Sequence, residues 1–389
     1  MITVATGIVS TVMYMWTPFL PLFMRDLGVD SEASAVSWVA IALTCQGVAS
    51  LASGPIWGWL SDRYGRKLMF VRSLFATALT AFILGSATAP WHVAVAMAAL
   101  GLLGGYVQAG SALVSVVVPD ADLKTGLARV SGALYIGSMA GPALGSLLAI
   151  WMSFRGTIFV SALASVVVAA AAARLVPADR TRFASTGKRE LEPLNPTPQL
   201  GLAILLYLLV FGLNQLIMVA TPSALNLLSG QSRAVGVSGL AFTLAGVASA
   251  VGVFVVSTRF FLTGSLRRSL GAAALIIAAA HAVMAASGGV TLYIAAFIVI
   301  SLLEAAMIPV TSTLIAMNVT ASRRGTAFGL VTAARAIALS AGPGGAALMT
   351  ATSLRTGLVV IAVLFVGLAV LIRTALREGA LVSAPAKAR

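Results

Sequence analysis

The sequence predicts an all-α integral membrane protein, with twelve transmembrane helices in two pseudo-symmetric six-helix bundles. Three observations predict it. Of 389 residues, 59% are hydrophobic and only 9% charged, whereas about a quarter of a soluble globular chain is charged. The apolar residues fall into runs long enough to cross a bilayer, which takes about 20 residues. The chain also repeats itself. Thr17-Pro18 recurs as Thr221-Pro222, Gly141-Pro142 as Gly342-Pro343, and Phe154-Arg155 as Leu354-Arg355, all at nearly the same offset.

In chain order, the expected spans are 2–24, 36–60, 68–87, 92–117, 126–150 and 154–176, then 200–224, 234–257, 268–286, 290–317, 325–350 and 354–376. Span 1 begins almost at Met1; it is too long for a removable signal peptide and lacks a cleavage site. Spans 2 and 3 are joined by a tight charged turn containing Asp62, Arg63, Gly65, Arg66 and Lys67. Span 5 carries Gly132, Gly137, Gly141, Pro142 and Gly145, small residues that let helices approach closely and a proline that kinks the span. The one long polar stretch, 177–199, is rich in charge and proline. It separates an N-terminal bundle, 1–176, from a C-terminal bundle, 200–376, which is followed by a tail, 377–389.

Orientation follows from the basic residues. Of 25 lysines and arginines, only Arg25, Arg155, Arg233 and Arg355 fall in odd-numbered loops, and Arg335 falls inside a span. The rest lie in even-numbered loops, near their ends, or in the tail. Both termini are therefore expected in the cytoplasm of a multi-pass inner-membrane protein. The formal net charge of +14 is an orientation signal, not a nucleic-acid footprint, because no basic, aromatic-interleaved face lies outside the membrane. A single cysteine, Cys45, and two distant histidines, His92 and His281, form no disulfide framework or metal cluster. Both histidines sit near outer span ends, where an interfacial position is expected. No phosphate-binding loop occurs, so the chain alone is not expected to use ATP. No cofactor, metal or enzymatic activity is expected.

The turn carries a resemblance. Gly58-x-Leu60-Ser61-Asp62-Arg63-x-Gly65-Arg66-Lys67 resembles the loop 2–3 signature of the major facilitator superfamily, and it lies between the second and third spans as it does there. The whole chain looks most like the twelve-span drug:proton antiporters, so the resemblance implies the facilitator fold, with substrate bound near the midplane between two repeats. It further implies a conformational latch made by Gly58, Asp62, Arg63, Gly65, Arg66 and Lys67, with Asp62 accepting from the start of span 11 when the cytoplasmic side is closed. Read alone, the same loop is a solvated positive-inside turn. The span 5 glycines resemble the antiporter signature, with Ser146 in place of the final glycine; read alone, they are ordinary small-residue packing. In the second half the loop signature is degraded, with Arg259, Arg267 and Arg268 but no aspartate.

Glu304 is the only acid deep inside a span, midway along span 10. A charge at that depth costs roughly 2.5–3.5 kcal/mol, so the carboxyl should meet a cavity, a partner or a proton. Three roles stand open: a proton or cation site, a structural or gating pair with Arg335, and a substrate counter-ion. Where the family often has an arginine in span 4, this chain has Met97, and span 1 has no acid. Tyr14, Trp16, Gln108, Tyr135, Asn214, Gln215, Met218 and Met307 fall on spans that face the cavity in the resemblance. Aromatic, methionine and amide groups of this kind suit varied amphipathic ligands.

These features together imply a monomeric secondary active transporter in the lipid bilayer that exports amphipathic small molecules or drugs in exchange for protons, by alternating access. The alternative is a dedicated exporter of one endogenous solute, such as a sugar, siderophore or lipid-linked metabolite. A non-transporting membrane receptor or scaffold fits the repeat and the loop signature less well.

Overall fold

The structure is a computed structural model, and it describes residues 1–118, 123–177, 197–261, 265–318 and 324–376, apart from some individual side chains. All regular structure among the described residues is helical. The chain opens with α1 (Ile2–Tyr14), a 3₁₀ turn (Thr17–Phe19) and α2 (Leu20–Asp26). It continues through α3 (Glu32–Tyr64), α4 (Arg66–Gly85), α5 (Pro90–Leu103), α6 (Tyr106–Val117) and α7 (Leu123–Leu175). Next come α8 (Pro198–Ser229), α9 (Gln231–Val251) with a π-helical extension (Gly252–Phe261), α10 (Leu266–Ala286), α11 (Val290–Met317), α12 (Arg324–Thr352) and α13 (Leu354–Ala375).

Among the described residues, 10 helical stretches are long and apolar enough to cross a membrane, against the twelve expected. Two causes account for the difference. The stretch Gly132–Leu175 has 44 residues, about two crossings in one run. Within α7, only Ser153, at φ 71°, separates the expected spans 5 and 6. The second cause is α12, which is 29 residues long but not among the ten. Around Arg335 it is rich in Ala, Gly, Ser and Thr.

Local chemistry explains where helices start and bend. The Ser31, Ser265 and Ser353 hydroxyls accept from the amides of Ser34, Arg268 and Thr356, capping α3, α10 and α13. His92 caps α5, its Nδ1 accepting from the amides of Thr88 at 3.1 Å and Ala89 at 3.2 Å. The repeated Thr-Pro pair is one device used twice. Thr17 donates to the Met13 carbonyl at 2.6 Å, and Thr221 to that of Ile217 at 2.7 Å. Each hydroxyl binds a carbonyl one turn back, next to a proline that has no amide to offer.

The chain divides into two compact units. Unit 1 comprises Met1–Glu192, Leu216–Gly246 and Leu339–Ala351. Within it α1 and α4 pack against α7, and α3 lies along α5. Its core includes Phe19, Phe70, Leu74, Met97, Leu113 and Ile158. Unit 2 comprises Pro193–Gln215, Val247–Ala338 and Thr352–Arg389. There α10 packs on α13 and α11, around Ile277, Tyr293, Phe297 and Phe365. Leu79, Leu163 and Val167 in unit 1, and Ile276, Val363 and Val370 in unit 2, are exposed. In a chain that crosses the bilayer, such residues form the lipid-facing surface.

His281 departs from the interfacial position expected of it. It is fully buried, with Nδ1 2.9 Å from the Ile277 carbonyl and its ring stacked on Phe365 at 5.5 Å. The packing of α10 on α13 encloses it.

Candidate functional site

The buried polar centre of unit 2 lies where α8 meets α11. Glu304 has no exposed surface, and its Oε2 accepts from Asn214 Nδ2 at 2.8 Å. Its other oxygen, Oε1, is buried and has no hydrogen-bond partner among the described residues. One carboxyl oxygen is thus fixed by an amide, while the second is the atom at which a proton would sit. Among the described residues no ion pair joins Glu304 to Arg335, the pairing left open by the sequence. Asn214 meets the carboxyl, and the Arg335 guanidinium lies over the Phe211 ring, 5.4 Å from its centre. Phe211 in turn stacks on Tyr207, with centroids 5.8 Å apart and planes 10° from parallel. Tyr207, Phe211 and Asn214/Gln215 recur at helical spacing, so an aromatic ladder with a cation on it runs along the same helix as the amide. Gln215 is half-buried. Met307, by contrast, is fully buried and presents no surface. Near it Gly252 comes against the Leu302 carbonyl, and a side chain at Gly252 would also lie 3.3 Å from the Ala306 amide.

Unit 1 holds the charged turn. Gly65 adopts φ 100° and ψ 147°, a conformation open essentially to glycine alone, and so ends α3 and starts α4 within one residue. Arg63 lies over the rings of Trp59 and Tyr64, at 5.4 and 5.7 Å. Arg66 donates to the Ala112 carbonyl of α6 at 2.9 Å. Lys67 is half-buried, and Gly58 has open space beside it. The side chains of Asp62 and Tyr135 lie outside those described.

The span 5 glycines divide by role. A side chain at Gly137 would fall 2.6 Å from Ser10 Cβ, one at Gly141 would fall 2.6 Å from the Thr11 carbonyl, and one at Gly145 would overlap the Met15 carbonyl. These three glycines, with buried Pro142, let α7 lie backbone to backbone against α1. Gly132 faces open space. Ser146, which departs from the family pattern, lies against Gly239 of α9, and the absence of a side chain there makes room for its hydroxymethyl group.

Three of the remaining cavity candidates, Tyr14, Gln108 and Met218, are in unit 1; Tyr14 and Met218 are half-buried and Gln108 is exposed. Trp16 is a packing residue. It is 2% exposed, and its indole donates to Ser161 Oγ at 3.2 Å.

Unit 1 also brings segments of both halves of the sequence together. Glu32 Oε1 is 3.5 Å from Arg25 Nε and accepts from Asn226 Nδ2 at 2.7 Å. Phe19 meets Phe242 edge-on at 5.9 Å, and Thr44 donates to the Ser340 carbonyl at 3.2 Å. The sequence reading missed this cluster. Its signal was an acid in the first turn after a serine cap, with an arginine at the preceding helix end.

The reading also missed Arg72, which had passed as a loop-end charge. It lies 3.5 Å above the Trp57 ring and donates to the carbonyls of Leu103 at 2.7 Å and Gly104 at 3.4 Å. The adjacent Gly104-Gly105, with Gly105 at φ 90°, was the signal for a broken span.

Known proteins share both the sequence pattern and the helical architecture. Multidrug resistance protein MdtG of Proteus mirabilis (strain HI4320) is 35% identical over 145 residues, which is 37% of this chain and 36% of that protein. MdtG of Escherichia coli O9:H4 (strain HS) is 31% identical over 264 residues, which is 67% of this chain and 64% of that protein. The chain therefore spans less than two thirds of either relative. A bacterial homolog of the human lysosomal transporter Spinster, solved in an inward-facing and occupied conformation, superposes with a TM-score of 0.72 at 14% identity, covering 95% of this chain and 94% of that one. This likeness is one of fold. The sequence model of the Major Facilitator Superfamily matches residues 2–264, and the chain belongs to that superfamily.

Proposed function

We propose that the protein is a secondary active transporter that exports amphipathic small molecules or drugs by proton antiport with alternating access. The relatives named for multidrug resistance support the substrate class. One observation carries the coupling: a wholly buried Glu304 carboxyl, held at one oxygen by Asn214 and unmet at the other. A group that trades a proton for a hydrogen-bonded charge without leaving the apolar phase is what proton coupling needs.

In this reading the chain crosses the inner membrane a dozen times, with both termini cytoplasmic. Bundles 1–176 and 200–376, joined by linker 177–199, move about a pocket lined by Tyr14, Gln108, Tyr135, Asn214, Gln215 and Met218. The 58–67 turn acts as the latch, and Gly137, Gly141 and Gly145 are the pivot of span 5 against span 1. The protein works as a monomer, with protons and a small-molecule substrate as partners, no nucleic acid and no enzymatic step.

The test is flux of the cationic dye ethidium in proteoliposomes of the purified full chain. Uptake into vesicles holding inside-out protein should follow an imposed inside-acid gradient and collapse with an ionophore that dissipates it. Dye flux indifferent to the gradient rules out antiport, and an absence of flux of any amphipathic probe rules out the broad substrate class.

A further inference from the structure

The fourth apolar run does not pass through unit 1 as one helix. α5 stops at Leu103, Gly104 and Gly105 leave the helical conformation, and α6 starts at Tyr106. A break there deprives the carbonyls of residues 101–104 of the amides that would meet them one turn on. Away from water an unmet carbonyl costs several kcal/mol, so broken helices persist only where other groups supply the donors.

Every one of the four carbonyls has a side-chain donor from α3 or α4. Gly101 takes the hydroxyls of Ser53 at 3.1 Å and Ser50 at 3.3 Å. Leu102 takes the Trp57 indole at 2.6 Å. Leu103 and Gly104 take the two terminal nitrogens of Arg72. The guanidinium is seated on the Trp57 ring at 3.5 Å, so two of the donor side chains form a single stacked unit. Gly101 allows the approach, since a side chain there would overlap the Gln46 carbonyl of α3. Beyond the break, α6 keeps α4 and gains α7 and α1 as neighbours, and the Tyr106 hydroxyl lies 3.1 Å from Ser10 Oγ.

We propose that Arg72 is a positioning residue for transport: seated on Trp57, it occupies the carbonyls that a continuous helix would offer to its own amides, and so holds the fourth span as two rods with Gln108 on the inner one. The proposal rests on the transport reading above. It assigns to the third span a cation that serves the fourth.

Hydrogen exchange on the full chain in nanodiscs tests the structural half without any substrate. In Arg72→Ala the freed carbonyls of Leu103 and Gly104 find new donors one turn ahead, so the helix closes up and the amides of Val107 and Gln108 exchange about tenfold more slowly. Arg72→Lys, with one compact donor, should fall between Arg72→Ala and the wild type. A merely structural arginine predicts faster exchange on its loss, and unchanged or faster exchange at these amides overturns the proposal. If Arg72→Ala does not insert, Trp57→Phe keeps the stacking ring, removes the donor to Leu102 and should slow exchange at the Tyr106 amide; no slowing overturns the proposal.

Ethidium flux tests the other half. Arg72→Ala should raise KM about fivefold with Vmax within about twofold, and adding Gln108→Ala should cost less than about twofold more. Wild-type KM in Arg72→Ala, or fully additive losses, overturns the positioning role. Absence of dye flux in the wild type would sink the transport reading, while the exchange result would still judge the break.

Discussion

Asn214 donates its amide to one oxygen of Glu304 across 2.8 Å, and the other oxygen of that carboxyl meets no donor among the described residues. The two oxygens therefore have different tasks. Oε2 is held to α8, and in the proposed coupling Oε1 would be the place where a proton arrives or leaves. Glu304→Gln keeps the shape and still accepts from Asn214, but it cannot exchange a proton. We expect that variant to lose gradient-driven ethidium transport while dye-for-dye exchange across the vesicle persists. Asn214→Leu removes the donor found among the described residues and leaves a buried polar oxygen unmet, at a cost of about 1–3 kcal/mol. Its melting temperature should fall, and Glu304→Gln should melt near the wild type. A Glu304→Gln transporter with undiminished pH dependence would remove this residue from the coupling.

Much of this was legible in the sequence, for a physical reason. Bilayer thickness sets a minimum run of apolar residues, and Glu304 stood out because so few acids interrupt such runs. What was not legible depends on which side chain reaches which backbone atom. Arg72 reads as one more basic residue after the charged turn until the carbonyls of Leu103 and Gly104 are seen to lack amides. Arg335 sits at a depth suited to pairing with Glu304, but the Phe211 face holds it elsewhere, and helical spacing does not record that choice. His281 lies near a span end in sequence, yet the packing of α10 on α13 encloses it. The boundary between spans 5 and 6, expected between 150 and 154, falls in the structure at Ser153, which breaks the helix by its φ angle alone.

The glycines of α7 make a prediction in which two chemically identical changes differ. A methyl at Gly145 would overlap the Met15 carbonyl, and backbone gives way less readily than a side chain. Overpacking of this kind costs about 1–3 kcal/mol. Gly132 has nothing within 4 Å of the same methyl, and a helix gains up to about 1 kcal/mol when alanine replaces glycine. Thermal unfolding in detergent should therefore rank Gly145→Ala below the wild type and Gly132→Ala at or above it. Equal destabilisation by both would mean that the close contact between α1 and α7 is not what holds unit 1 together.

The Glu32 cluster predicts an effect on access. Glu32 receives Asn226 at 2.7 Å and Arg25 at 3.5 Å, both within unit 1, and so ties the turn after α2 to the end of α8. The ion pair is partly exposed and contributes only about 0–1 kcal/mol. The amide bond to a charged oxygen is stronger, at about 1.5–3 kcal/mol before solvent screening. Asn226→Ala should loosen this junction by roughly 1 kcal/mol, a shift of about fivefold in population. Arg25→Gln, which removes only the weaker partner, should shift it less. In a Cys45→Ser background with a cysteine placed at Ser340, whose carbonyl receives Thr44 in the same unit, a membrane-impermeant maleimide added outside intact cells reads that shift. Labelling should rise in the order wild type, Arg25→Gln, Asn226→Ala. If Arg25→Gln opens the site as much as Asn226→Ala, the ion pair and not the amide holds it. If neither does, Phe19 against Phe242 is sufficient to close this end of unit 1.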